Sequence, residues 1–275
     1  MKRWRDRLDR FLFVPVDGSA AAWFRIAFAV VVPYMFWSGG LSAPDGPRSI
    51  QRLYDDVFLR PGYWLLALAV SVILAFGWKS RVIGVTLAVV LLPLAFAPGA
   101  TRSRQVILTA LVAFCFLRSD VVRWPRFGRR RQGAPCHSAG PAWPIRLIQL
   151  QLTLLYGINA IAKASPAYLR GDVLEGMALA LPNFKAEVRF GAIDLGMIAV
   201  PVMAAGIASA MAEAALSIGF WLGRWKWLAA FFGVAFHVSL RFIIDIYKLD
   251  AATVFLYLAF LLPLVRPSRK TSVTG

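Results

Sequence analysis

Two short sets of polar side chains interrupt long apolar runs, and each is spaced for one face of a helix. Tyr156, Asn159 and Lys163 stand at i, i+3 and i+7, which brings them to one side of a helix. His237, Arg241 and Asp245 stand at i, i+4 and i+8, a second stripe of the same kind. An ionisable group inside a membrane span is costly and usually faces the bundle interior, so chemistry is sought first at these stripes. A lysine in a dry pocket can act as a base, and an intramembrane histidine is a functional candidate by default. Lys163 and His237 are therefore the candidate catalytic residues, with Tyr156, Asn159, Arg241 and Asp245 shaping the pocket. Each stripe also has an architectural role open to it. Lys163 can lift its ammonium to the interface while Asn159 bonds a neighbouring helix. Arg241 and Asp245 can neutralise one another, and His237 can serve only as an interhelical hydrogen-bonding residue.

Two further charges lie within apolar runs, Arg25 and Glu213. Counted along their helices they sit at depths that differ by about a turn, at 1.5 Å per residue, and are expected to form a structural ion pair. No metal-ligand spacing, phosphate loop or nucleophile elbow is present, so no metal is expected. His137 stands alone in a loop. Cys115 and Cys136, one apolar and one polar in context, imply no disulfide framework.

The elements that must carry these residues are membrane spans. The chain has 275 residues, 59% of them hydrophobic and 16% charged, which is too apolar and charge-poor for an ordinary soluble domain. A formal net charge of +17 raises the question of nucleic acid. That partner is excluded because the basic residues are scattered between apolar runs and form no solvated patch. A helix needs about 20 mostly apolar residues to cross the hydrocarbon core. Spans are predicted near Ala20–Trp37, Gly62–Trp78, Val82–Pro98, Gln105–Leu117, Pro144–Ala162, Ile193–Leu222, Trp227–Ile246 and Ala251–Val265. The fourth and eighth are the shortest. The sixth is long, kinkable at Pro201 and rich in small residues. Trp37, Trp64, Trp78, Trp143, Trp225 and Trp227 fall at span ends, where an amphipathic ring prefers the headgroup layer.

Basic loop residues are retained on the cytoplasmic side. With the N-terminus inside, nineteen of the 31 Lys and Arg fall on inner segments, against nine on outer ones. The fold class is therefore all-α: a polytopic transmembrane bundle of about eight helices with both termini cytoplasmic. Residues 1–19 form a basic cytoplasmic start, 20–265 the bundle, and 266–275 a cytoplasmic tail. The inner loop from Arg118 to Trp143, rich in Pro, Gly and Arg, is expected near anionic headgroups. The outer loop from Ala164 to Gly191 is placed to cover an outward-facing site.

The stretch LIQLQLTLLYGINAIAKASPAYLRGDVL, Leu147 to Leu174, resembles the signature of the HTTM domain family, which includes vitamin K-dependent gamma-carboxylase. WFRIAFA around Arg25, the mid-helix Glu213 and the Phe236-His237 pair extend the resemblance over nearly the whole chain. It implies a quinol cofactor of the vitamin K type and makes Lys163 the base that deprotonates it. It also implies a bacterial cytoplasmic-membrane protein with a secreted peptide or protein as partner, besides the lipid bilayer. The chain departs from the carboxylase at Arg104 and Gln105, where that enzyme has an Asn-His pair, and in lacking a counterpart of its large lumenal domain. A quinol-dependent, epoxidase- or carboxylase-like membrane enzyme is one expectation. The alternative is a non-catalytic membrane factor for maturation, export or immunity of a secreted peptide. A small transporter would require inverted repeats of broken helices, which the sequence does not show.

Overall fold

The computed structural model describes residues 2–37, 61–96, 102–122, 138–180, 187–189, 192–194, 199–243 and 247–261. These residues are mostly helical, and they divide into two compact units: Met1–Leu147 with Leu262–Gly275, and Ile148–Leu261.

Unit 1 begins with helix α1 (Lys2–Phe13) and strand β1 (Pro15–Asp17), followed by α2 (Gly18–Trp37). Asp17 starts α2 by accepting from the backbone N–H groups of Ser19 at 2.8 Å and Ala20 at 3.1 Å, which satisfies donors left free at a helix start. Then come α3 (Pro61–Phe76), α4 (Ser80–Phe96), α5 (Arg102–Phe114), a 3-10 turn at Ser119–Val121 and strand β2 (Ser138–Pro141). α2 packs on α3 and α5, α3 on α4, and α4 on α5. Phe24, Phe28 and Phe114 form the aromatic centre, with ring centroids 4.9 to 5.4 Å apart. β1 and β2 pair antiparallel, so α2 starts beside the point where helix α6 (Trp143–Lys163) starts.

Arg25 is fully buried two turns into α2. Its guanidinium donates to the carbonyls of Ser119 and, at 3.2 Å, Val122, with the charge of Asp120 nearby. It also lies against Gly77, the left-handed residue (φ 75°) in the turn between α3 and α4. A Cβ on Gly77 would come within 2.6 Å of the guanidinium carbon, so the turn needs glycine for its conformation and for the close approach. Ser119 Oγ donates to Ser80 Oγ at 3.0 Å. The α3–α4 turn and the segment after α5 are thus gathered at the starting end of α2.

Unit 2 holds the rest of α6, the short helices α7 (Pro166–Arg170) and α8 (Asp172–Ala180), and a three-stranded antiparallel ribbon. The ribbon pairs β3 (Glu187–Arg189) with β4 (Ala192–Asp194), and β4 with β5 (Ala199–Pro201). Helices α9 (Val202–Gly219), α10 (Lys226–Ile243), α11 (Tyr247–Leu256) and α12 (Leu258–Leu261) follow. α9 packs on α7, α8 and α10, and α10 on α11. Gly206 lets the backbone of α7 approach closely, since a Cβ there would lie 2.6 Å from the carbonyl oxygen of Tyr168.

Three helices among the described residues are long and apolar enough to cross a membrane: α2 over Gly18–Phe36, α6, and α9, with mean hydropathies of 1.5, 1.3 and 1.5. Four shorter apolar helices accompany them. Large apolar side chains point outward, Ile161 at 77% and Phe231 at 68% exposure, while Arg25, Glu213 and His237 are buried. Such a surface needs an apolar surrounding.

The mostly helical fold is as expected, with two short ribbons added to it. Several sequence expectations change. The span expected from Ile193 to Leu222 is instead β4, β5 and an 18-residue helix. Pro201 caps that helix where it was expected to kink it, since a residue without an N–H is tolerated at a helix start and not within it. The expected cover loop from Ala164 contains two helices. The eighth span is broken at Tyr257 into α11 and α12, and its end past Leu261 lies outside the described residues.

Candidate functional site

α6 presents Tyr156 and Lys163 two turns apart, about 10 Å along the axis. Both find partners within unit 2. Tyr156 Oη lies 2.6 Å from His237 Nε2 on α10 and within hydrogen-bonding distance of Tyr257 Oη, between α11 and α12. Thr253 Oγ1, one turn before Tyr257, lies 3.2 Å from the same His237 nitrogen. All four side chains are buried. The ring of Tyr257 fits because position 233 on α10 is glycine, where a Cβ would lie 2.6 Å from its hydroxyl. Phenol, imidazole and threonine hydroxyl each donate and accept. Tyr156 and Thr253 both meet the same ring nitrogen of His237, so that nitrogen can exchange a proton with the Tyr156–Tyr257 pair or with Thr253, and low polarity around the set strengthens each bond.

Two turns further along α6, Lys163 Nζ donates to Ser209 Oγ at 2.6 Å and to Glu213 Oε1 at 3.0 Å, both on α9. Ser209 and Glu213 are one turn apart, so a single helix face supplies both acceptors. The ammonium also lies 5.5 Å from the Tyr168 ring and 6.0 Å from the Phe236 ring, within reach of cation–π attraction. Phe236 adjoins His237, so α6 and α10 both contribute to the two clusters. The other carboxylate oxygen, Glu213 Oε2, is buried with no hydrogen-bond partner among the described residues. Compared with protein-family models, curated proteins and solved structures, the chain matches none. The site has to be read from its own geometry.

The structure brings together Lys163, Tyr156 and His237 from the sequence reading but changes two of the expected relations. Glu213 is the partner of Lys163, and Arg25 is held by backbone carbonyls in unit 1; the expected Arg25–Glu213 ion pair is replaced by these arrangements. Equal depth along two helices does not set the direction in which either side chain points. Lys163, expected as a neutral amine, is one half of an ion pair. Asn159 is half-buried on α6 and takes no part in the network among the described residues. Arg241 lies on α10, but its side chain, and all of Asp245, fall outside the described residues.

Tyr257, Thr253 and Ser209 escaped the sequence reading. A signal existed for the first two, since hydroxyls at i and i+4 in an apolar run mark a polar face. Ser209 was hidden among the small residues of α9, where serine usually only permits close packing.

An apolar groove of about 1030 Å³ opens between α9 and α10. Ala212 and Leu216, flanking Glu213 on α9, line one wall, and Phe232 and Phe236 the other.

Proposed function

We propose that the chain is an HTTM-like integral membrane protein whose unit 2 transfers protons to and from a lipid-soluble, quinol-like hydroxyl compound. The observation that carries this reading is the buried, hydrogen-bonded set Tyr156, His237, Tyr257, Lys163 and Glu213, which a membrane bundle rarely tolerates without use. A lipid-soluble compound fits the surroundings: the groove between α9 and α10 is apolar, Phe236 and Ala212 on its walls are the chain neighbours of His237 and Glu213, and Glu213 Oε2 is a buried acceptor without a donor among the described residues. When bound, a quinol supplies dissociable hydroxyl protons and reducing electrons. Glu213 Oε2 would be the acceptor for such a proton; Lys163 balances and orients the carboxylate through Oε1, and Ser209 holds Lys163. Tyr156 and Tyr257 hold a second exchangeable proton at His237 Nε2. The base is then Glu213, with Lys163 as its counter-ion.

A deprotonated quinol gives its two electrons to dissolved oxygen faster than the neutral form, yielding quinone and hydrogen peroxide, so purified protein in phosphatidylcholine discs supplied with a naphthoquinol is expected to consume oxygen above the rate of empty discs. Glu213→Gln should lower that rate by about 10²-fold or more. A wild-type rate equal to that of empty discs, or full activity in the glutamine variant, refutes the quinol reading.

The same proposal places the chain in the bacterial cytoplasmic membrane as eight helices with both termini inside. The β1–β2 ribbon supports this topology, because two helices that start side by side must be separated by an even number of crossings, and α2 to α5 make four. The contacts of Arg25 support the same alternation. A periplasm-active reporter fused after Gly275 should stay silent and a cytoplasm-active one should work; the reverse pattern rules the topology out.

The Lys163–Glu213 bond also favours a second reading, a non-catalytic membrane factor for maturation, export or immunity of a secreted peptide. In it the pair only ties α6 to α9. Peptide maturation or immunity that persists at full strength in Glu213→Gln and Tyr156→Phe, at matched membrane levels, would select this reading over the first.

A further inference from the structure

The basic start of the chain is not an extended tail. Residues Lys2–Phe13 form a helix with five basic and two acidic residues. Trp4, Leu8 and Phe11, at i, i+4 and i+7, share one face, Arg3, Arg5, Arg7 and Arg10 flank it, and Lys2, Asp6, Asp9 and Phe13 lie on the opposite side. Trp4 is 71% exposed on that face and Leu8 is exposed as well, while Phe11, at its far end, carries the one contact described next. The helix is nevertheless held at its far end. Arg146, at the start of α6, donates from Nε to the Phe11 carbonyl at 3.3 Å and lays its guanidinium 4.1 Å from the Phe11 ring centroid. A short connection through β1 then leads to α2, a helix long and apolar enough to span, which begins at Gly18.

We infer that α1 lies in the membrane interface, with Trp4, Leu8 and Phe11 in the acyl boundary and its arginines on anionic phospholipid headgroups. Charge and position select that occupant. A helix of net positive charge, tethered where a span begins, meets headgroups before any other surface, and an amphipathic helix with Trp and Phe on one face, Arg along its borders and carboxylates turned away is built for that layer. Attraction to anionic lipid adds with each basic residue and falls off within a Debye length, so the tether at Arg146 keeps the charges where they act. The carboxylates of Asp6 and Asp9 reduce this attraction without reversing it.

The test uses the full chain, one copy per disc, in discs of phosphatidylcholine alone and in discs where phosphatidylglycerol replaces about a third of it. Amide hydrogen exchange across Lys2–Phe13 is expected to be at least about tenfold slower in the anionic discs. Replacing Arg3, Arg5, Arg7 and Arg10 by glutamine should equalise the two lipids. Trp4→Gln with Leu8→Gln should remove the protection in both. Exchange within α2 serves as the folding control and should be unchanged throughout. Equal exchange of wild-type α1 in the two lipids overturns the inference. So does protection that survives the glutamine substitutions, or that appears only when two copies share a disc, which would make a second chain the occupant.

Discussion

Lys163→Ala is expected to destabilise the protein by about 3–5 kcal/mol, because it leaves the Glu213 carboxylate buried in an apolar bundle without its counter-charge. The measurement is the thermal midpoint of the protein in detergent, followed by size exclusion at matched concentration. Glu213→Ala should cost a similar amount by stranding the ammonium, softened by the 21% exposure of the Lys163 side chain. The double variant Lys163→Met with Glu213→Leu removes both charges together, and should recover most of the loss, since apolar substitution of a whole buried pair is often neutral. If the double variant is no better than the worse single one, the pair is not a unit and the 3.0 Å contact has no energetic meaning. Lys163→Arg keeps the charge and should keep the stability. Activity in that variant separates two roles: a counter-ion tolerates arginine, whereas a base must give up a proton that arginine holds.

The second large effect is expected at Arg25. Arg25→Met removes the donors to Ser119 and Val122 and leaves their carbonyls without this partner inside a closely packed end of unit 1. Each buried acceptor so stranded costs about 1–3 kcal/mol, so the variant should lose about 2–6 kcal/mol and much of its folded yield in membranes. Arg25→Lys should recover only a part: an ammonium can donate to both carbonyls, which Arg25 meets through Nη1 alone, but it does not reproduce the guanidinium that lies against the Gly77 turn. The readout is monodisperse protein recovered per cell after detergent extraction. Wild-type yield and thermal midpoint in Arg25→Met would show that the connections at that end are held without it.

Both sites illustrate what a linear pattern can and cannot specify. Hydropathy fixes where a chain must cross an apolar slab, since each crossing needs a run of a certain length, and so α2 over Gly18–Phe36 and α6 over Trp143–Lys163 were legible from residue types alone. Helical periodicity also showed that Tyr156 and Lys163 share a face, and the cost of intramembrane charge marked Arg25, Glu213 and His237 as residues needing partners. The identity of the partners was not legible. Arg25 and Glu213 were matched by depth, yet partner choice depends on the rotation of each helix about its axis and on which helices are neighbours, and one chain's periodicity contains neither. Those quantities are set by packing between elements distant in sequence. The glycines show this directly: Gly206 admits the backbone of α7 and Gly233 admits the ring of Tyr257, contacts that no local signal announces. The same long-range packing made the residues before Pro201 pair as strands where their apolar composition suggested a continued helix. Residue types and their order were thus enough to require an apolar, mostly helical chain with a few charges obliged to find company. That Lys163 meets Glu213, that Tyr156 meets His237 and Tyr257, and that Arg25 closes one end of unit 1 follow from three-dimensional packing, because a buried polar group is satisfied by whatever the neighbouring elements bring within about 3 Å.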